Sequence, residues 1–445
     1  MRKEKIALIG GGSLLWAPKL LVDFVLTDEL QGSQMCLHDI DEKALTLIYR
    51  LGRKIIEEAK RDFYLTSTPL LEEALEDASY VILCISIGGN TTMRYDLEIP
   101  LRYGIYQSVG DTVGPGGLSR ALRSIPVAVD ICKKMESLCP DACLINCTNP
   151  MSTLCRAINK TTCIKTIGVC HELHFVLQTL ERLLKVERGS DIQAITAGIN
   201  HFTWITELKV KGKDGFPLLA EYIKRKEKRL KRQLETLDWE SFYSFNDNNL
   251  LKFELFKTFG YLPAAGDRHI AEFFPYFLTE ETQAGRKYGI KLTTIEDRIR
   301  RMEQTKENLR PIIDGKQSME LTHSEEKVCD IIAALATGKQ KTFMINMPNQ
   351  GQIANLPSEV IVETPALVDA NGVHPIPVGE IPPGILDLML HHITNQEMIV
   401  EAALTGNKTL ALQALVNDPL VRNLEDAPKM LEELLQANAD YLSQF

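Results

Sequence analysis

The chain has 445 residues, 44% of them hydrophobic, enough to bury one large core or two ordinary ones, and length alone favours two or three domains. A formal net charge of −9 argues against broad binding to nucleic acid or anionic membranes, since either needs an excess of Lys and Arg on one face. No apolar run approaches the roughly 20 residues that span a bilayer, the opening MRKEKIALIGGG lacks the pattern of a signal peptide, and ten Cys, several inside runs such as VILCISI, read as buried hydrophobes in a reducing compartment, so a cytoplasmic protein is expected.

Lys5 to Ile9 is a short apolar strand, Gly10-Gly11-Gly12-Ser13 a tight turn, and Leu14 to Leu26 an apolar-periodic helix that can begin with Ser13 as its cap. A second strand, Met35 to His38, ends at Asp39 and is followed by a charged helix from about Glu42 to Arg61. Tyr80 to Ser86 and Cys143 to Cys147 are continuous apolar runs of the kind covered on both faces, with helical patterns before and between them. The repeated βα order predicts a doubly wound parallel sheet, an α/β Rossmann-type domain over residues 1–170. Beyond Cys170 the alternation loosens, with an antiparallel pair expected near Ile192 to Ala197 and Thr203 to Val210, and a basic run from Lys224 that reads as a solvated helix face. Residues 171–445 are therefore expected to form a mixed α+β domain for substrate and metal, packed closely on the first because no Pro/Gly-rich linker separates them.

Four constellations can carry chemistry. Glycines 10 to 12 with Ser13 let the backbone approach a pyrophosphate at the positive end of a helix, and Asp39, an acid at the end of the second strand, can hold both ribose hydroxyls, which favours NAD over NADP. Leu15 stands where the third glycine of the dinucleotide fingerprint would be, so an ordinary tight turn is the alternative. Cys170-His171-Glu172 follows the apolar strand Lys165 to Val169, at the sheet edge where open α/β sheets bind ligands, and His201 follows in Gly198-Ile199-Asn200-His201. A thiolate with its base, two metal ligands with open positions, or simply a buried Cys and a hydrogen-bonded His all fit that pattern. Ala265-Gly266-Asp267-Arg268-His269 combines acid, cation and imidazole and suits proton transfer and anion binding, or a surface ion pair. The glycine-dense segment Gly88 to Gly117, with Arg94 and Asp111, is expected to be a loop acting as a lid, and Asn149-Pro150 adds an amide at the same sheet edge.

Taken in order, IALIGGGS, NCTNPMS, the Cys-His-Glu triplet and GINHFTW resemble glycoside hydrolase family 4, NAD- and metal-dependent glycosidases. The resemblance runs through nearly the whole chain. The triplet looks like the uronide-hydrolysing branch, and GIYQSVGDTVGPGG, AAGDRH and NMPNQGQIANLP resemble its α-galacturonidases of pectin breakdown, with α-glucuronidases the near neighbours. The resemblance implies NAD and Mn²⁺ as cofactors, oxidation at C3 of the sugar, deprotonation at C2 and elimination of the C1 oxygen, a departure from two-carboxylate hydrolysis that is general knowledge of the family. It implies Cys170 and His201 as metal ligands, Asn149 on sugar hydroxyls, Asp267 as the C2 base, His171 as the group assisting departure, and Arg268 or Arg94 on the substrate carboxylate. A small sugar acid is the expected partner, with the protein a homo-oligomer of two or four copies. A lactate- or malate-type 2-hydroxy-acid dehydrogenase would share the cofactor domain without a thiolate–metal site, and a non-catalytic NAD sensor would have no use for Cys170, His201 and Asp267 together.

Overall fold

The computed structural model describes residues 3–186 and 191–445. Six strands, β1 (Lys5–Ile9), β2 (Gln34–His38), β3 (Tyr64–Thr68), β4 (Tyr80–Leu83), β5 (Cys143–Asn146) and β6 (Lys165–Gly168), pair in parallel in the order β3-β2-β1-β4-β5-β6. That order reverses direction at β1, so the crevice beyond its carboxyl end lies at the switch point where such sheets bind dinucleotides. Side chains alternate across it. Ile6 and Leu8 join one apolar layer, Ala7 and Ile9 the other, and all four are essentially buried. Coverage on both faces explains why these strands read as unbroken hydrophobic runs.

The sheet continues past residue 170. Strands β7 (Ile192–Ile199), β8 (Phe202–Val210), β9 (Lys213–Asp214), β10 (Leu262–Pro263), β11 (Lys341–Pro348), β12 (Ile361–Asp369) and β13 (Gly372–Pro375) extend it with antiparallel pairing. One narrow contact welds the halves, Asn346 of β11 facing Gly168 of β6, and a second, Glu363 of β12 facing Gly198 of β7, holds the extension together. Among the described residues one sheet of thirteen strands results, and no helix is long and apolar enough to cross a membrane.

Several boundaries differ from the expected ones. The first helix is Ala17–Leu26, because Ser13 caps a preceding turn, its Oγ accepting from the Trp16 N–H at 3.2 Å. The parallel edge strand β3 was not foreseen; its burial is irregular, with Tyr64, Thr66 and Ser67 exposed. The largest correction concerns Gly88 to Gly117, expected as a lid loop: most of it is helix, Gly89–Arg102 and the start of Gly114–Leu138. Its glycines serve packing, since a Cβ on Gly117 would sit 2.6 Å from the Thr112 carbonyl carbon. The basic run lies in the helix Phe216–Glu235, where only Leu219 and Ile223 are buried, as a solvated face requires.

Candidate active site

A cavity of about 2090 Å³ opens along the carboxyl edge of the parallel strands. A single small-molecule site is typically about 300–1,000 Å³, so this one has room for two ligands. At one part of it the N–H groups of Gly10 and Gly11 donate to the His38 carbonyl at 2.9 and 2.8 Å, and Gly12 N–H donates to Asp39 Oδ2 at 2.9 Å. Asp39 thereby pins the glycine turn to the end of β2. The helix Ala17–Leu26 has no acid in its first turn and no side-chain cap, so its positive end is uncompensated. Ile40, 91% exposed, and Leu70, 55% exposed, line the cavity beside Asp39. Two bared aliphatic groups next to an acid that could hold a ribose suit the flat base of a nucleotide.

The second part is polar. His201 forms the two-residue turn between β7 and β8 with Asn200, at φ +62°, a left-handed conformation unusual outside glycine. Thr112 Oγ1 donates to Asp111 Oδ1 at 2.9 Å and lies 3.0 Å from His201 Nδ1. A hydroxyl has one proton, so His201 Nδ1–H donates to Thr112 and the Nε2 lone pair is free. Burial would raise the Asp111 carboxyl, but His269, Arg298 and Arg120 around it prevail and hold it at about 2. The His201 and His269 rings lie 4.0 Å apart, and burial lowers the basicity of both. The Asn149 side-chain amide donates weakly to Asp111 Oδ1 at 3.5 Å, while the Asn149 backbone carbonyl accepts from Arg120 Nε at 2.9 Å.

Cys170 lies two residues past the end of β6, beside this cluster. Burial, then the carboxylates of Glu363 and Glu172, push its thiol well above the usual range, and the Asn200 side chain donates to it. Asn200 Nδ2 also donates to Glu363 Oε2 at 3.0 Å, so one amide ties Cys170, the His201 turn and β12 together. Next door, His171 Nδ1 lies 3.3 Å from Glu326 Oε2; burial disfavours its cation, but Glu326 and Glu172 outweigh that and raise its pKa. Glu172 Oε2 accepts from Gly266 N–H at 2.7 Å, binding the start of the next helix to the loop after β10.

Asp267, Arg268 and His269, expected on a loop, instead form the short helix Asp267–Ile270 that follows it, with Gly266 at its start. Asp267 lines the cavity but is also structural: its Oδ1 accepts from Lys252 Nζ at 2.9 Å and Lys252 N–H at 3.2 Å, and its Oδ2 from Leu251 N–H at 3.1 Å, closing the first turn of the helix Leu250–Phe259. Burial and the neighbouring Asp247, which shares Lys252, push its carboxyl up to about 7 against the pull of that ammonium. The Arg268 guanidinium lies 4.2 Å from the centre of the Phe245 ring and reaches Thr293 Oγ1 at 3.4 Å. Arg94, expected near substrate, is elsewhere. It sits on the outer face of the helix Gly89–Arg102, paired with Glu98 at 2.6 Å and Glu296 at 2.8 Å, outside the cavity lining.

Residues 5–186 match the profile of the family 4 glycosyl hydrolases, and residues 196–421 match that of the family 4 glycosyl hydrolase C-terminal domain. The chain belongs to glycosyl hydrolase family 4. Within family 4 it is similar to an α-galacturonidase of Thermoanaerobacter italicus, 38% identical over 98% of this chain and 97% of the relative. It is also similar to the solved structure of the Bacillus subtilis protein lplD, with 35% identity, a TM-score of 0.89 and coverage of 98% and 100% of the two chains. A 6-phospho-α-glucosidase from gut microorganisms, solved in complex with NAD and Mn²⁺, has the same fold at 23% identity, TM-score 0.83 and 99% coverage of each chain.

Family 4 membership implies NAD, and the residues present fit a dinucleotide: a glycine turn at an uncompensated helix end, an acid after β2 and a bared aliphatic wall. They also fit a divalent cation held by Cys170 and the free Nε2 of His201. No group of three or more His, Cys, Asp and Glu forms a closed metal site among the described residues, so such an ion would keep positions open for substrate, as catalytic metal sites do. The buried Asn200 Oδ1 and His269 Nδ1 have no partner, which leaves polar capacity in this region unspent. Motif spacing assigns no individual role to Asp111, Thr112 or Glu172, and only a general proton-transfer role to the His269 imidazole, although all lie in or beside the motifs. Arg120, Arg298, Glu326 and Glu363 gave no signal in the sequence: each is one charge in an ordinary helix, strand or, for Glu326, connecting segment, made significant only by what folds over it.

Proposed function

We propose that the family 4 chain hydrolyses α-galacturonides, such as oligogalacturonides from pectin, with NAD and Mn²⁺ as cofactors. The observation that carries the reading is that Arg268 and Arg298 both line the cavity and neither has a carboxylate within 4 Å among the described residues. Cations with no carboxylate bonded to them suit an anionic sugar. Full-length similarity to an α-galacturonidase supports the same substrate class. The dehydrogenase and NAD-sensor alternatives gain nothing from this match. Cytoplasmic location and assembly into two or four copies belong to the same reading, to be checked by fractionation and light scattering.

When bound, NAD⁺ supplies reversible hydride transfer at C3 of the sugar and Mn²⁺ supplies positive charge for the oxygens at C2 and C3. The chain's own groups divide the remaining work. Gly10 to Ser13 and Asp39 hold the dinucleotide. Cys170 and His201 hold the ion, with Asp111 fixing the His201 tautomer through Thr112. Asp267 takes the C2 proton: a carboxylate near 7 is basic enough to act at neutral pH, and its Oδ2 accepts only one backbone N–H. His171, whose pKa Glu326 raises, gives a proton to the departing C1 oxygen. Asn149 orients sugar hydroxyls and Arg268 meets the carboxylate. A panel of aryl α-galacturonide, α-glucuronide, neutral α-galactoside and 6-phosphorylated glucosides, each with and without NAD⁺ and Mn²⁺, tests the reading. Turnover of the galacturonide requiring both additions supports it; preference for a neutral or phosphorylated sugar overturns it.

A further inference from the structure

Among the charged groups that line the cavity, three arginines stand beyond ion-pair distance of any carboxylate of the described residues. Arg298 and Arg301 lie one turn apart on the helix Ile295–Ile313, where residues three apart share a face, and both line the cavity with Arg268. Arg298 is the deeper. Its Nη2 donates to the Val109 carbonyl at 3.0 Å, while its Nε is shielded from solvent without any partner. Burial lowers its pKa to about 10, with Asp111 opposing, so the guanidinium remains charged at neutral pH. Arg301 packs on Phe245, its guanidinium carbon 4.4 Å from the ring centre, and Arg268 lies 4.2 Å from the same ring. One aromatic ring thus orders two cations, as cation–π contact allows. None of the three makes an ion pair within 4 Å among the described residues. A single carboxylate has two oxygens and is satisfied by one bidentate guanidinium. Three guanidiniums that line one cavity, none in an ion pair within 4 Å among the described residues, leave donors for a second anionic group.

We propose that Arg301, ordered by Phe245, is a second carboxylate position: Arg298 and Arg268 take the uronate being cleaved and Arg301 takes the carboxylate of the sugar that leaves. The assignment rests on the galacturonidase reading and adds which residue recognises the leaving sugar. Because that contact is the same before and during bond breaking, its loss raises KM and leaves kcat nearly unchanged.

The test compares the holoenzyme with its Arg301→Gln, Arg301→Lys and Phe245→Leu variants on digalacturonate and on an aryl α-galacturonide, whose leaving group is uncharged. NADH affinity is followed by fluorescence in the same samples. Loss of one charge-assisted contact predicts that Arg301→Gln raises KM for digalacturonate at least about tenfold and leaves the aryl substrate unaffected. Arg301→Lys recovers part of the loss, whereas Phe245→Leu, which frees both Arg268 and Arg301, weakens both substrates and digalacturonate the more. Equal losses on both substrates would overturn the assignment, and so would weakened NADH binding in Arg301→Gln, which would give Arg301 to a dinucleotide phosphate instead. If the unaltered enzyme turns over neither uronide, the galacturonidase reading itself fails and this assignment falls with it, an outcome distinct from both.

Discussion

Lys252 Nζ stands 2.9 Å from Asp267 Oδ1 with both side chains buried, and Asp247 competes for the same ammonium. If Asp267 is the C2 base, it works only when ionised, so the acid limb of kcat/KM follows its pKa. Removing the competitor with Asp247→Asn favours the ionised form and moves that limb to lower pH. Lys252→Met removes the stabilising cation and moves it to higher pH, while breaking a buried pair at a cost of about 3–5 kcal/mol. A pH–rate series with thermal melts on both variants checks the two directions; limbs that stay put would take the base role away from Asp267.

The Thr112 hydroxyl between Asp111 and His201 Nδ1 gives a cleaner test of the metal pair. Thr112→Val keeps the shape and removes the bridge, so the His201 tautomer is no longer selected. Second-sphere changes of this kind typically cost about 10–100-fold in metal affinity. Mn²⁺ titration should show that loss, with NADH binding unaltered because the glycine turn is untouched.

Gly12→Ala probes the cofactor end. A Cβ there would lie 2.8 Å from Asp39 Oδ2 and 2.9 Å from the Ala44 Cβ, so the turn must move off the end of β2. The expected outcome is weaker NAD binding by fluorescence titration, with the metal site's affinity for Mn²⁺ preserved.

Arg268→Met should cost roughly 10–150-fold in kcat/KM on a uronide, the worth of one charge-assisted hydrogen bond, and much less on a neutral glycoside. Arg94→Ala is the matching control. Its partners are Glu98 and Glu296 on the surface, so kinetics on both substrates should be unchanged.

Hydrolysis in D₂O tests the route itself. A base that removes the C2 proton lets it exchange, and deuterium should appear at C2 of the released sugar by mass spectrometry or NMR. Direct displacement at C1 never breaks the C2–H bond and leaves none. Substrates deuterated at C2 or C3 provide a second readout through their rate effects, which covers a shielded base that returns the same proton.

Local pattern was enough for the parallel half of the fold and for many of the segments that line the cavity. A strand buried on both faces must be apolar throughout, a glycine turn before a helix has few other uses, and short-range spacing encodes both, so β1, β2, β4, β5 and β6 and the segments carrying Gly10, Asp39, Cys170 and His201 were legible from the chain alone. What only the tertiary structure decided is which charges meet. Arg94 and Arg298 look alike in sequence, yet one lies on an outer helix face between two glutamates and the other faces Asp111 inside the cavity. Thr112 and His201 are 89 residues apart before the β7–β8 turn and the 108–113 segment bring them together. Electrostatic effect depends on distance and burial, and both are set by long-range packing that no local period records.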